Sequence, residues 1–196
     1  MNTLSELFED TLKDIYYAEN AIAKALPKMI KVASAKPLQL ALSVHLEETM
    51  GHIERLEQVF QSIGVKAAGK QCHAIKGLIA EGEELISEKP VNAVLDAGLV
   101  ACSQAIEHYE MARYGTLRAW ADELGLSDAA RLLQLTLAEE KSADAKLSVL
   151  ALAKINMHAD AGEQPNARNK KQTVERAAEP GKRNSADRQR PVTSGH

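Results

Sequence analysis

Four glutamates occupy positions where the surrounding helical pattern requires apolar side chains. They are Glu19, Glu48, Glu110 and Glu140. Glu19, for example, follows Ile15 by four residues and precedes Ile22 by three, so all three share one helix face. An ionised carboxylate inside an apolar seam is costly unless it is paired or bound to a metal. The alternative for any single glutamate is a boundary position from which the carboxylate reaches solvent.

Three further ligand-type residues lie one helical turn from these glutamates. They are Glu107, His52 and Asp144. A spacing of three or four residues places each of them on the same helix face as its neighbouring glutamate. The open alternative for His52 is a hydrogen bond at the rim of the bundle. His45 is interpreted as a surface residue or as a neighbour of the ligands.

The arrangement of carboxylates occurs twice along the chain. The interval from Glu19 to Glu48 is 29 residues, and the interval from Glu110 to Glu140 is 30. Two matched helix hairpins therefore carry carboxylates that converge with approximate two-fold symmetry. Carboxylate ligands of this kind suit iron and manganese, and paired sets of them are typical of di-metal sites in helical bundles.

The elements that must position these residues are helices. Apolar residues recur every three or four positions, Thr3 and Glu6 form a capping-box pattern, and Gly64 and Gly125 are helix-stop signals. The predicted helices cover about residues 5–33, 37–63, 74–86, 91–124 and 127–158. The segment 65–90 is too long for a tight turn but suits a crossover along a bundle. The fold class is therefore an all-α four-helix bundle, residues 1–158, whose crossover carries a short extra helix.

Composition sets the remaining limits on the class of protein. Hydrophobic residues make up 45% of the 196-residue chain, aromatic residues 4%, and the net charge is −3. Such a composition is ordinary for a soluble protein. No apolar run approaches the roughly 20 residues of a membrane span, and the N-terminus lacks a signal-peptide pattern. With Cys72 and Cys102 interpreted as free thiols, we expect a cytoplasmic protein without a membrane partner.

The last 38 residues differ from the rest of the chain. Residues 159–196 contain eight Lys and Arg against five Asp and Glu, and hardly a large apolar side chain. We predict a disordered basic tail. Weak binding of this tail to nucleic acid is an alternative, but the absence of interleaved aromatic residues argues against it.

Several segments of the chain resemble the YciE/YciF-like family of bacterial ferritin-like stress proteins. They are YYAENAIAKALPKM, HLEETMGHIERLEQVF, AIEHYEMARYGTLRA and LLQLTLAEEKSADAKL. The resemblance covers about residues 3–155. It implies a ferritin-like four-helix bundle, a homodimer, a role in bacterial stress responses and iron-binding or ferroxidase-like activity. It also implies ligand roles for Glu19, Glu48, Glu107, Glu110 and Glu140, with Asp144 as a further candidate.

The chain departs from the wider ferritin-like pattern at one point. Ferritin-like proteins usually carry Glu-x-x-His on the second and fourth helices, whereas Gly51 and Ala143 occupy those histidine positions here. His52 and Asp144 lie one residue later, which leaves the second ligand of each hairpin open.

The predicted function follows from these ligands. We expect a di-metal protein with two iron ions per chain, manganese being the alternative metal, that oxidises Fe(II) or reduces peroxide or O2. A non-catalytic helical bundle that acts through dimerisation or partner binding is the alternative function.

Overall fold

The computed structural model describes residues 1–161, and all of its regular elements are helical. Five helices are α1 (Leu4–Val32), α2 (Lys36–Ser62), α3 (His73–Ser87), α4 (Asn92–Glu123) and α5 (Ser127–Leu150). A π-helical turn (Ala151–Ile155) and a short helix α6 (Asn156–Ala161) follow α5. Of the segment predicted to be a disordered basic tail, residues 159–161 belong to α6, and residues 162–196 lie outside the described part of the chain.

Four long helices pack in a closed ring. α1 packs against α2 and α4 against α5, and the two hairpins meet through α2 with α5 and α1 with α4. Helix α3 lies in the connection between the hairpins and packs against α1 and α4. This is the predicted ferritin-like four-helix bundle with a crossover helix. Its core is built from aliphatic side chains of all four long helices and three buried aromatic ones, Phe8, Phe60 and Tyr114.

The helix ends follow from identifiable residues. The Thr3 side chain accepts a hydrogen bond from the backbone N–H of Glu6, which satisfies one of the free donors of the first turn. The backbone turns at Gly64 after α2 and at Gly125 after α4, and both glycines have a φ of 71°. Side chains disfavour this left-handed conformation, and glycine adopts it without the clash of a Cβ atom.

The last predicted helix, residues 127–158, continues to about its expected end but changes its winding. After Leu147, regular α-helical spacing would direct Lys154 toward the bundle. The π-helical turn inserts about one extra residue, so that the buried residue is Ile155 and Lys154 is exposed. The turn therefore preserves an apolar contact that a regular helix would lose.

Two further features of residues 1–161 bear on the sequence-based expectations. No helix within them is long and apolar enough to cross a membrane. Cys72 and Cys102 are both free thiols.

Candidate metal centre

Helix α2 directs two histidines into the bundle. His45 and His52 are seven residues apart, which is two helical turns, and both are buried. They share the inward face of α2 with Leu42, Thr49 and Leu56. The interpretation of His45 as a surface residue is therefore wrong, because the inward stripe of α2 includes it.

The other three long helices contribute buried carboxylates. Each of these side chains is at most 1% exposed, and they are Glu19 from α1, Glu107 and Glu110 from α4, and Glu140 from α5. Glu107 and Glu110 are three residues apart and therefore lie on one face of α4. The four helices together surround a single acidic cluster inside an apolar core.

The buried residues form two groups of potential ligands. His45, Glu107, Glu110 and Glu140 form the first group. Glu19, His52 and Glu140 form the second. Within each group the ligand atoms lie within 4.8 Å of one another, and Glu140 belongs to both. Each group offers carboxylate oxygens and an imidazole nitrogen that could hold a metal ion.

The protein does not satisfy these side chains by itself. His52 Nδ1 lies 2.9 Å from Glu140 Oε1 and 3.3 Å from Glu19 Oε1, yet without the alignment of a hydrogen bond. Among the described residues, eight buried side-chain oxygen and nitrogen atoms lack a hydrogen-bond partner, and all belong to the six residues of the two groups. Unpartnered buried atoms are rare and costly in folded proteins. Together with the mixed carboxylate and imidazole donors, they fit a bound metal.

The electrostatics of the cluster reflect burial and crowding. Burial, and then the charges of Glu140 and Glu19, raise the pKa of Glu110 well above its usual value, and burial and Glu140 do the same for Glu107. Burial opposes the charged form of His52, but its contacts with Glu140 and Glu19 outweigh this and raise its pKa to about 10. Burial likewise opposes ionisation of Glu140, but His52 dominates and lowers the pKa of Glu140. The carboxylates of the cluster can thus all be ionised only when bound cations or a protonated histidine offset their negative charge.

Outer contacts orient two of the candidate ligands. Glu139 Oε2 lies 3.0 Å from His52 Nε2, and Arg55 forms a salt bridge to the same Glu139 carboxylate. The buried Tyr114 hydroxyl donates a hydrogen bond to Glu19. A carboxylate behind a histidine is a common way to fix the tautomer and orientation of a metal ligand.

The structure does not bring Glu48 and Asp144 into either group. Glu48 is 24% exposed and lies 3.5 Å from Lys146 Nζ, at the rim of the cluster. Asp144 is 22% exposed, lies 3.3 Å from His108 and accepts a hydrogen bond from Gln104. The buried position on this part of α5 is Ala143, one residue earlier. A shift of one residue rotates a side chain by about 100° around the helix, which carries it off the inward face.

Sequence reasoning considered His45 as a neighbour of the ligands but not as a ligand, and it missed Glu139. His45 is marked by its seven-residue spacing from His52, which a stricter reading of the α2 stripe would have used. Glu139 has no such signal, because its role depends on the position of α2 across the bundle.

The chain is similar over most of its length to proteins already known. It is 44% identical over 161 residues to protein YciF of Escherichia coli K12, covering 82% of this chain and 97% of YciF. The crystal structure of the E. coli stress protein YciF matches with a TM-score of 0.77 and 43% identity, covering 81% of this chain and 100% of that one.

A second solved structure and a family description agree with this similarity. YcfI from Rhodopseudomonas palustris, described as a proposed structural protein, matches with a TM-score of 0.74 and 53% identity, covering 75% of this chain and 94% of YcfI. Residues 3–160 match the family described as a domain of unknown function, DUF892. The chain therefore belongs to the DUF892 family of YciF-like proteins.

Proposed function

We propose that this chain is a di-metal carboxylate protein of the bacterial stress response that oxidises Fe(II) or reduces peroxide or O2. The observation that carries the proposal is the pair of buried ligand groups that share Glu140. Each group combines carboxylate oxygens with one imidazole nitrogen. The description of E. coli YciF as a stress protein supports the physiological setting.

The donor atoms favour iron, with manganese as the second metal. Carboxylate and imidazole ligands suit both metals, whereas neither ligand group contains a cysteine, the ligand that softer metals prefer. The positive charge of two bound cations would offset the cost of burying four carboxylates. A bound pair of iron ions supplies the electrons that O2 or peroxide takes up, which the side chains themselves cannot provide.

The surrounding residues prepare the site by orienting its donors. Glu139 Oε2 contacts His52 Nε2, while His52 Nδ1 is directed toward Glu19 and Glu140. The Tyr114 hydroxyl occupies Oε1 of Glu19 and leaves Oε2 of the same carboxylate without a partner. Burial in the bundle shields these donors from most of the bulk water.

A kinetic experiment tests the proposed function. Fe(II) is added anaerobically to the full-length protein, and Fe(III) formation is then followed by absorbance after addition of O2 or hydrogen peroxide. We expect faster oxidation than in protein-free buffer, and a rate close to that of buffer for Glu110→Ala. Glu47→Gln, at an exposed position of α2, serves as the matched control and should retain most of the rate. A wild-type rate equal to that of buffer with both oxidants would refute the proposal.

The description of YcfI as a proposed structural protein favours a second candidate function. In that case the buried carboxylates form a proton-sharing network, and the bundle acts through partner binding. Chelation separates the two functions, since a metal that binds only the folded state raises its melting temperature. An unchanged melting temperature after chelation would support the structural role.

A further inference from the structure

An apolar groove opens between α2 and α5 beside the candidate metal centre. Its volume is about 630 Å³, and its walls include Pro37, Leu40 and Val44 from α2 and Leu147 and Leu150 from α5. This volume lies within the range of small-molecule sites, which are mostly apolar with a few convergent polar groups. Leu40 is 67% exposed, so the groove presents apolar surface that the chain itself leaves uncovered.

The polar groups of the groove lie toward one end. From Pro37 to Glu48, helix α2 rises roughly 16 Å, at about 1.5 Å per residue. Pro37 lies near the start of α2, whereas His45, Glu48 and the Glu107 side chain from α4 line the part of the groove at the middle of the bundle. The groove therefore combines an apolar channel with a polar end.

That polar end is part of the ligand cluster. His45 and Glu107 line the groove and also belong to the first ligand group. Both side chains are more than nine-tenths buried, and each has a polar atom without a hydrogen-bond partner, His45 Nδ1 and Glu107 Oε2. A molecule that enters the groove with a polar head would therefore meet the edge of the first ligand group.

The charges around the polar end select the kind of head group. Glu48 and Lys146 both line this end and form an ion pair at 3.5 Å, so no lysine or arginine among the lining residues is free to hold an anionic head. An anionic head would lose its hydration there without gaining a free cationic partner, which is unfavourable. A neutral hydroxyl or hydroperoxyl group can donate to a carboxylate oxygen and accept from an imidazole N–H.

We propose that the groove binds a linear amphiphile with a neutral oxygen-containing head, which it directs toward His45 and Glu107 while Leu40 and Leu147 contact the alkyl chain. Alkyl hydroperoxides are the reactive members of this class, and their assignment as substrates rests on the proposed function. Binding of the alkyl chain does not depend on redox activity and can be measured separately.

Calorimetric titration with 1-octanol tests the groove directly. We expect the full-length protein to bind 1-octanol at one site, and to bind octanoate, with its charged head, at least ten-fold more weakly. Ala145 is exposed and lines the groove, so Ala145→Trp fills it without disturbing the core, and octanol affinity should fall at least ten-fold. Ala138 is exposed on the same helix outside the groove, and Ala138→Trp should bind octanol as the wild type does.

Two results would overturn the inference. One is the absence of octanol binding, or equal binding by Ala145→Trp and the wild type. The other is a wild-type oligomer that ignores octanol and dissociates on Ala145→Trp substitution, which would identify the groove as a contact with a second copy. Octanol binding by a protein that does not oxidise Fe(II) would leave the groove in place and refute only the proposed function.

Discussion

Glu140 and Glu48 show how two carboxylates predicted to act alike differ in the structure. Glu140 is fully buried and belongs to both ligand groups, whereas Glu48 is at the rim beside Lys146. Glu140→Gln removes the shared negative charge with little change in volume. We expect metal content, measured by mass spectrometry of the purified protein, to fall below half of the wild-type value.

Glu48→Gln is the matched control for this substitution. Its side chain lies outside both groups, so metal content should remain near that of the wild type. Equal losses in the two variants would contradict the assignment of Glu140 as the shared ligand.

Glu139 acts on the site through His52. Glu139→Ala leaves His52 Nε2 without this partner and removes the salt bridge to Arg55. Loss of such a supporting contact typically lowers metal affinity about 10- to 100-fold. Competition with a chelator of known affinity measures the change. Glu139→Gln keeps an acceptor, so its metal affinity should lie between those of the wild type and Glu139→Ala. Glu54→Ala, at an exposed position of α2, should not change the metal affinity.

Metal-free protein should become less stable as pH rises. Burial and neighbouring carboxylates raise the pKa of Glu107 and Glu110, and contacts with Glu140 and Glu19, against the effect of burial, raise the pKa of His52 to about 10. A group whose pKa is higher in the folded state than in the unfolded state stabilises the folded protein fully at a pH below the unfolded-state pKa. This stabilisation is lost as the pH rises through the folded-state pKa. The loss of stability therefore begins near pH 4.5 for the glutamates and near pH 6.5 for His52.

The melting temperature of chelated protein should accordingly fall between about pH 6 and pH 9. The pKa of Glu140 is lowered, so it affects stability only below pH 4.5, outside the range from pH 6 to pH 9. Metal-loaded protein should show a smaller decline, because bound cations replace the protons. A chelated protein whose melting temperature is constant or rises over this range would contradict the cluster's electrostatics.

At the scale of elements, the register of each helix decides which candidates reach the centre. The inward stripe of α2 advances by alternating steps of four and three residues, through Leu42, His45, Thr49, His52 and Leu56. Charged residues within an apolar stripe are a local signal, which is why the burial of Glu19, Glu110 and Glu140 could be predicted. Whether the next residue of α5 faces inward depends on packing across the bundle, and there Ala143 rather than Asp144 is buried.

Glycine at the end of α4 supports the second hairpin. Gly125 has a φ of 71°, a conformation that costs a residue with a Cβ atom roughly 1–2 kcal/mol. Gly125→Ala should therefore lower the melting temperature by several degrees in a thermal denaturation followed by circular dichroism.

Gly115 provides a control of opposite sign. It lies inside α4, where a Cβ atom would meet nothing within 4 Å. Alanine is favoured over glycine within a helix by roughly 0.5–1 kcal/mol, so Gly115→Ala should raise the melting temperature. A gain in stability for Gly125→Ala would contradict the conformational role of this residue.

At the scale of the whole molecule, the matched spacing of the carboxylates predicted two hairpins and a crossover. That inference required only local periodicity and the length of segment 65–90. The π-helical turn could not be predicted in the same way, because the choice between Lys154 and Ile155 depends on the core that they meet. The enclosure of the site likewise arises only when four helices from distant parts of the chain pack together.

The metal stoichiometry of the full-length protein tests the account most directly. The chain is purified without chelators, reconstituted anaerobically with Fe(II) or Mn(II), freed of unbound ions and measured by elemental analysis. The paired ligand groups predict about two ions per chain. Protein that remains free of metal after reconstitution with both ions would contradict the central claim.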